Sequence, residues 1–280
     1  MSWLSSAGLE QRLLLGIILG AAAGVAAWRA RALSRSGALA AAMVGGGIFS
    51  LGGWSWALVL LSFFISSSAL SLLLALRQRR LGVHEKFAKG SRRDAGQVLA
   101  NGGLGLLLAG LHTAFPAWDW TWIAFCGALA AVNADTWATE LGVFSPAPPR
   151  LITTFRTVES GVSGGISALG SLAALAGAGV VAGLAAWLSS SAAVLLPALV
   201  GGLVGSTVDS LLGATLQAIY FCPACQKETE RHPRHTCGAP TLPRRGWRWL
   251  NNDWVNWCCS LAGAATAVLI GLLLAASAPG

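Results

Sequence analysis

Long apolar runs, separated by short connections rich in arginine and lysine, constrain the fold of this chain more than any other feature. We predict eight membrane spans from these runs, at residues 13–27, 38–53, 54–76, 98–115, 121–142, 161–188, 192–220 and 254–275. A helix needs about 20 apolar residues to cross a bilayer, so a chain of 280 residues has no room for a large soluble domain beside these spans. We therefore expect an all-α fold, a polytopic transmembrane helix bundle that forms one integral-membrane domain over residues 1–280.

The second run, at residues 38–53, is the least regular of the eight. It is short and contains five glycines. Such a segment is compatible with a tilted, broken or re-entrant helix as well as with a full crossing. If it is re-entrant, the number of full spans falls to seven.

The charge content excludes several classes of protein. Only 11% of the residues are charged and 55% are hydrophobic, whereas soluble domains carry roughly 25% charged residues. These values exclude an ordinary cytosolic domain, a disordered chain and a disulfide-rich secreted module. The net charge of +8 would indicate nucleic-acid binding only if the basic residues shared one soluble face, but they lie between apolar runs. We expect membrane lipids, and no nucleic acid, as partners.

The basic residues predict the orientation of the spans. Of the 19 lysines and arginines, 18 follow the first, third, fifth and seventh spans, and only Arg12 lies on the other side. Since positive residues stay in the cytoplasm, we expect both termini outside and four cytoplasmic basic loops, in a bacterial plasma membrane. Some of these residues could instead only anchor lipid head groups, which is compatible with the same orientation.

The fifth span ends in polar residues that are costly to place in lipid. Asn133, Asp135 and Glu140 follow a continuous apolar stretch, and a charge inside a span is a functional candidate by default. Asp135 and Glu140 are five positions apart, about 140° around a helix, which suits two walls of one cavity. The alternative is a pair of buried carboxylates neutralised by Arg or Lys of a neighbouring helix.

Three more polar clusters fall at the same predicted membrane depth. They are Lys89, Arg92, Arg93, Asp94 and Asn101 at the start of the fourth span, Asp209 and Gln217 in the seventh, and Asn252, Asp253 and Asn256 at the start of the eighth. Alone, the basic cluster would be a solvated anchor and the Asn-Asn-Asp sequence a helix N-cap. Together with the fifth span, the clusters predict one shared cytoplasmic site.

The sixth span begins with a glycine- and serine-rich segment that contains Ser163, Gly164 and Gly165, preceded by Arg156. Backbone N–H groups at a helix N-terminus bind anions, so this segment is a candidate phosphate cradle. It is not a Walker P-loop, because no glycine loop ends in Gly-Lys-Ser/Thr. Basic residues, a glycine cradle and carboxylates able to hold Mg²⁺ are the components of phosphoryl transfer.

Cysteine and histidine cluster in the last basic loop. Cys222, Cys225, His235 and Cys237 have the spacing of a tetrahedral zinc site, with His232 as a spare candidate. We expect a structural Zn²⁺ in a small cytoplasmic, zinc-knuckle-like loop at 222–253, inserted between the last two spans. A redox-active dithiol and an inert cysteine pair are the alternatives.

Four of these segments together resemble the signature stretches of the integral-membrane family of domain of unknown function 92, which includes transmembrane protein 19 and plant phytyl-phosphate kinase. They are residues 89–95, residues 133–142, residues 161–167, and Asn252, Asp253 and Asn256. The resemblance spans residues 37–275. It implies a polytopic helical enzyme that phosphorylates an isoprenyl monophosphate to the diphosphate, with a nucleoside triphosphate such as CTP as donor.

This resemblance leads to a specific expectation for the site. Mg²⁺ and the triphosphate would lie at Asp135, Glu140 and Asp209, and the prenyl chain would lie between helices. The other expected catalytic residues are Asn133 and Asp94, and the expected phosphate- or nucleotide-binding residues are Lys89, Arg92, Arg93, Asn101, Arg156, Ser163, Gly164, Gly165, Asn252, Asp253 and Asn256. A nucleotidyl transferase and a lipid-phosphate flippase remain alternatives. The prenyl chain, the nucleotide and the oligomeric state stay open.

Overall fold

The computed structural model describes residues 8–80 and 92–277, with side chains described outside 75–80. Long helices dominate these residues, as expected from the apolar runs. They are α1 Leu9–Arg29, α2 Arg35–Gly52, α3 Trp54–Arg80, α4 Ala95–Ala114, α5 Trp120–Gly142, α6 Ala168–Ser189, α7 Leu195–Thr215 and α8 Asn252–Ser277. A 3-10 turn at Ala192–Val194 precedes α7.

Five of the helices in the described part of the chain are long and apolar enough to cross a membrane. They are α1, α3, α6, α7 (with the preceding turn) and α8. The second apolar run forms a continuous helix of 18 residues, α2, about 27 Å long at 1.5 Å per residue. It is neither broken nor folded back on itself, in contrast to the re-entrant alternative.

Consecutive helices run in opposite directions. Gly20 of α1 packs against the carbonyl of Ala42 in α2, and Gly24 packs against the carbonyl of Ala38. The same reversed pairing relates α4 to α5, α5 to α6, and α7 to α8, whereas α3 and α7 run parallel to α5. The connections after α1, α3, α5 and α7 therefore emerge at one end of the bundle. We call it the basic end, because the clustered arginines follow these helices.

Helix α5 is the centre of the bundle. Every residue from Ala124 to Ala134 is buried, as expected for a helix that is apolar on all sides. Small residues allow this close packing: a side chain at Gly127 would collide with Gly263 and Ala267 of α8. Asn133 lies near the end of this buried stretch, and Asp135 and Glu140 follow it at the basic end.

Two span boundaries predicted from the sequence are wrong. Helix α6 begins at Ala168, not at residue 161, and Ser167 caps it by accepting a hydrogen bond from the Gly170 N–H. Gly161 and Gly164 have φ values of 91° and 82°, which are incompatible with a right-handed helix. The preceding connection instead contains a short antiparallel pair, β1 (Arg150–Leu151) and β2 (Gly165–Ile166).

The seventh span likewise ends at Thr215 rather than at residue 220. The chain then enters a three-stranded antiparallel sheet with the order β4–β3–β5. Its strands are β3 Ile219–Cys222, β4 Lys227–Thr229 and β5 Leu242–Arg245. Ile-Tyr-Phe favours a strand, so the all-α expectation holds for the bundle but not for this loop.

Candidate active site

Two aspartates on different helices lie at the same level of the bundle, at the basic end. A side chain at Gly205 of α7 would collide with the methyl group of Ala131 in α5. Asp135 and Asp209 each lie one helical turn beyond this contact, and the two helices are parallel, so the two residues are side by side. The carbonyl of Cys259 in α8 also lies against Gly205, and the Oδ2 atom of Asp209 is buried.

Glu140 lies on a different side of α5, facing α3. Its Oε1 atom accepts a 2.6 Å hydrogen bond from the Ser71 hydroxyl, and its charge attracts the Arg93 guanidinium. Burial lowers the pKa of Arg93 from its ordinary value, and the Glu140 carboxylate opposes this shift. Glu140 is therefore the carboxylate of α5 that attracts an arginine, whereas Asp135 faces α7 and α8.

Arg93 is held in place along its whole length. Its N–H donates to the carbonyl of Ala32, and its carbonyl accepts from the N–H of Ser34, both in the α1–α2 connection. The guanidinium lies 5.7 Å from the Phe63 ring and 5.9 Å from the Phe64 ring. Such contacts orient a cation without neutralising it.

Asn133 links three helices. Its Oδ1 atom accepts a hydrogen bond from Ser66 of α3 at 3.2 Å, and its Nδ2 atom donates to the carbonyl of Gly177 in α6 at 2.8 Å. The side chain is fully buried. The structure therefore places Asn133, a predicted catalytic residue, in a packing role.

The first turns of α4 and α8 meet beside these groups. Asp94 caps α4 by accepting a 3.0 Å hydrogen bond from the Gln97 N–H, and Asn251 caps α8 through the N–H groups of Asp253 and Trp254. A side chain at Gly96 would collide with the carboxylate of Asp253. The N-cap interpretation thus applies to Asp94 and to the start of α8. Three predicted residues are partly buried in the first two turns of α4 and α8: Asn101, Asn252 and Asn256.

The predicted glycine cradle has another role. Ser163 donates a 2.7 Å hydrogen bond to Oε1 of Gln217, Gly164 packs against Ala214 of α7, and the Gly165 N–H donates to the carbonyl of Val162. These contacts dock the α5–α6 connection on the end of α7. The segment is therefore not the N-terminus of a helix, and its N–H groups are not arranged as the predicted cradle.

The remaining predicted basic residues are more loosely placed. Arg92 is exposed beside Arg93, and Arg156 is exposed on the turn between β1 and β2. Lys89 lies outside the described residues. Of the predicted phosphate-binding cations in the described part of the chain, Arg93 is thus the one that the fold holds near a carboxylate of the site, Glu140.

Sequence reasoning missed the serines of α3. Ser66 bonds Asn133, Ser71 bonds Glu140, and Ser68 lies 3.4 Å from the Arg93 guanidinium. The signal was present, because a run of serines from residue 66 to residue 68 interrupts an otherwise apolar span. These hydroxyls form the wall of the site that faces α5.

The predicted cysteine–histidine cluster assembles in the connection between α7 and α8. The ligand atoms of Cys222, Cys225, His235 and Cys237 all lie within 4.8 Å of one another. His232, the spare candidate, is directed away: its ring stacks on Tyr220 at 4.4 Å, and its Nδ1 atom lies 3.3 Å from the hydroxyl of Thr241.

The thiols of this cluster titrate as a group. A hydrogen bond with the backbone of Ala239 lowers the pKa of Cys237 to about 6, with a smaller contribution from a hydrogen bond with the His235 side chain. The hydrogen bond with Cys237 raises the pKa of Cys225 to about 11. The Cys237 thiolate is thus favoured at neutral pH, whereas Cys225 stays protonated.

Comparison with known proteins agrees with the membrane fold. The family described as integral membrane protein DUF92 matches residues 18–276. Protein PGR of Arabidopsis thaliana is 34% identical over 238 residues, which cover 75% of this chain and 81% of the plant protein. An uncharacterized membrane protein of Methanocaldococcus jannaschii is 30% identical over 262 residues, covering 92% and 94% of the two chains. No solved structure matches significantly. The chain therefore belongs to the DUF92 family of integral membrane proteins.

Proposed function

We propose that this protein is a Mg²⁺-dependent membrane kinase that transfers a phosphoryl group from a nucleoside triphosphate to an isoprenyl monophosphate. The observation that carries the proposal is the position of Asp135 and Asp209 at the same level of two parallel helices, one turn beyond the contact between Gly205 and Ala131. The same end of the bundle holds the positioned Arg93. Carboxylates and an arginine at the membrane boundary are what a reaction between two phosphorylated substrates requires.

Asp135 and Asp209 are the residues that fit Mg²⁺. Mg²⁺ prefers oxygen ligands and is commonly bound by one or two carboxylates together with substrate phosphates. Two aspartates on adjacent parallel helices provide such a pair. When bound, Mg²⁺ neutralises charge on the phosphates of the donor.

Arg93 would bind the phosphates from the opposite wall. A guanidinium offers two parallel N–H donors to a phosphate, and one that is already oriented loses less entropy on binding. In this scheme Glu140 and Ser71 position Arg93 rather than bind Mg²⁺. This changes the role that the family resemblance suggested for Glu140.

The reaction needs little acid–base chemistry. An oxygen of the prenyl monophosphate attacks the γ-phosphorus, the bond to the β–γ bridging oxygen breaks, and the nucleoside diphosphate leaves with that electron pair. Because the acceptor is already an anion, positioning and charge neutralisation supply most of the acceleration. The prenyl chain would lie among the helices in the hydrocarbon, with its phosphate at the basic end facing the cytoplasm.

The experiment uses purified full-length protein with Mg²⁺, triphosphates labelled at the γ or the α position, and a panel of prenyl monophosphates. A kinase transfers the γ-label and gives the prenyl diphosphate. Transfer of the α-label to the lipid would replace the proposal with nucleotidyl transfer. If no label is transferred but the lipid phosphate moves across reconstituted vesicles, the protein is a flippase.

A further inference from the structure

The connection from α7 to α8 brings four metal-ligand atoms within 4.8 Å of one another. The Sγ atoms of Cys222 and Cys237 are 3.6 Å apart, and Nδ1 of His235 lies 3.4 Å from Sγ of Cys225 and 3.3 Å from Sγ of Cys237. With Zn–S near 2.3 Å and Zn–N near 2.0 Å, tetrahedral geometry places neighbouring ligand atoms roughly 3.5 to 3.8 Å apart. The observed separations are close to those values.

Two tight turns build this arrangement. Cys222 ends β3, and the turn after it brings back Cys225, with Gln226 at a φ of 53°. The second turn is closed by hydrogen bonds from the N–H of His235 to the carbonyl of Ala239 and from the N–H of Gly238 to the carbonyl of His235. The ligands thus come in two pairs on facing turns, as in structural zinc sites.

The buried residues of the sheet around the cluster all belong to its central strand, β3. All three residues of β4 and all four of β5 are exposed or only partly buried. Below about 40 residues, an independently packed unit usually needs disulfides or a metal. A disulfide would join two of the three cysteines and leave the third cysteine and the histidine without a role, whereas a metal uses all four ligands.

We propose that Cys222, Cys225, His235 and Cys237 bind one Zn²⁺, which holds residues 216–251 in their folded form. The protein fills all four coordination positions, as in structural rather than catalytic zinc sites. The inference does not depend on the kinase proposal, because it rests on ligand geometry alone.

The folded connection is tied to the end of α7 and to the start of α8. Arg245 donates a 3.0 Å hydrogen bond to the carbonyl of Gly213 in α7, and the N–H of Ala218 donates to the carbonyl of Leu250, just before α8. Arg244, Arg245 and Arg248 line a cavity of about 200 Å³ beside this junction. Zn²⁺ would therefore also fix three arginines near the end of the helix that carries Asp209.

Elemental analysis of the purified full-length protein tests the inference. We expect about one zinc per chain, and loss of that zinc in the double variant Cys225→Ser/Cys237→Ser. His232→Gln, which changes the histidine outside the cluster, and Cys258→Ser, which removes a thiol from α8, should both retain it. Iron in place of zinc, no metal, or full zinc content in the double variant would overturn the proposal.

A measurement on the wild-type protein covers the case in which the double variant fails to fold. A mercurial reagent should release zinc to a chromophoric chelator as the thiols react. Release should expose residues 216–251 to limited proteolysis, with cleavage inside this range. If the thiols react without zinc release, or if cleavage inside this range does not change on release, the inference is wrong.

Discussion

The Ser71 hydroxyl of α3 donates a 2.6 Å hydrogen bond to Oε1 of Glu140 in α5, and this bond orients the carboxylate that attracts Arg93. The anchor on α3 and the carboxylate on α5 are 69 positions apart in the sequence. The interaction forms because the two helices run parallel, with their polar ends at the basic end. The two acidic residues of α5 therefore have different surroundings. Glu140 attracts Arg93, whereas Asp135 faces α7 and α8.

This division predicts different effects of two substitutions. Arg93→Ala leaves the Glu140 charge without its cation, so we expect a loss of about 1 to 3 kcal/mol in stability, because the pair is only partly buried. The double variant Arg93→Ala/Glu140→Gln should recover most of the melting temperature. It should not recover activity, because the phosphate-binding cation is still missing. Recovery of activity in the double variant would show that Arg93 serves stability alone.

Close packing between α5 and α7 is predicted to set the distance between Asp135 and Asp209. At Gly205 an added methyl group would collide with Ala131, so Gly205→Ala should cost roughly 1 to 3 kcal/mol through overpacking and reduce phosphoryl transfer. Gly183→Ala in α6 is the matched control, because nothing lies within 4 Å of its added methyl group. Melting temperatures of both variants check this. Equal effects at the two glycines would argue against the packing role.

The sequence predicted the bundle well, because a lipid environment imposes helix length and apolarity on each span. It could not predict the start of α6, since glycines favour helix packing in membranes as readily as they break a helix. Only the positive φ of Gly161 and Gly164 shows which role applies here. The small sheet was missed because four-residue strands are easily hidden beside an apolar helix.

Among the site residues, the structure places His235 rather than His232 near the three cysteines, and the sequence could suggest this because these residues are close together in the chain. The contacts of Asn133 could not be predicted from the sequence. Its side chain donates a hydrogen bond to the backbone carbonyl of Gly177, and every residue type has such a carbonyl. The sequence analysis assigned Asp135 and Glu140 to the same Mg²⁺ because both are acidic. Their side chains lie on different sides of α5 and therefore contact different helices. Long-range partners of this kind are visible only in three dimensions.

The orientation of the bundle gives a further prediction. Since 18 of the 19 basic residues follow alternate spans, Thr153→Cys should be shielded from a membrane-impermeant thiol reagent in intact cells, and Asp119→Cys should react. The background would lack Cys126, Cys258 and Cys259 and retain the thiols of the cluster. Labelling of Thr153→Cys from outside would reverse the orientation and move the site out of the cytoplasm. Permeabilised cells provide the control for reactivity.

The measurement that tests the central claim most directly compares Asp135→Asn with the wild type, recording melting temperature and prenyl-diphosphate formation on the same preparation. Because removal of a carboxylate from a shared acidic site relieves repulsion, the variant should melt like the wild type. Its transfer rate should fall by about two orders of magnitude or more, since Mg²⁺ would no longer be held on the phosphates. Asp119→Asn, at the opposite end of the bundle, should remain fully active. An Asp135→Asn protein that is unstable, or that is stable and fully active, would contradict the account.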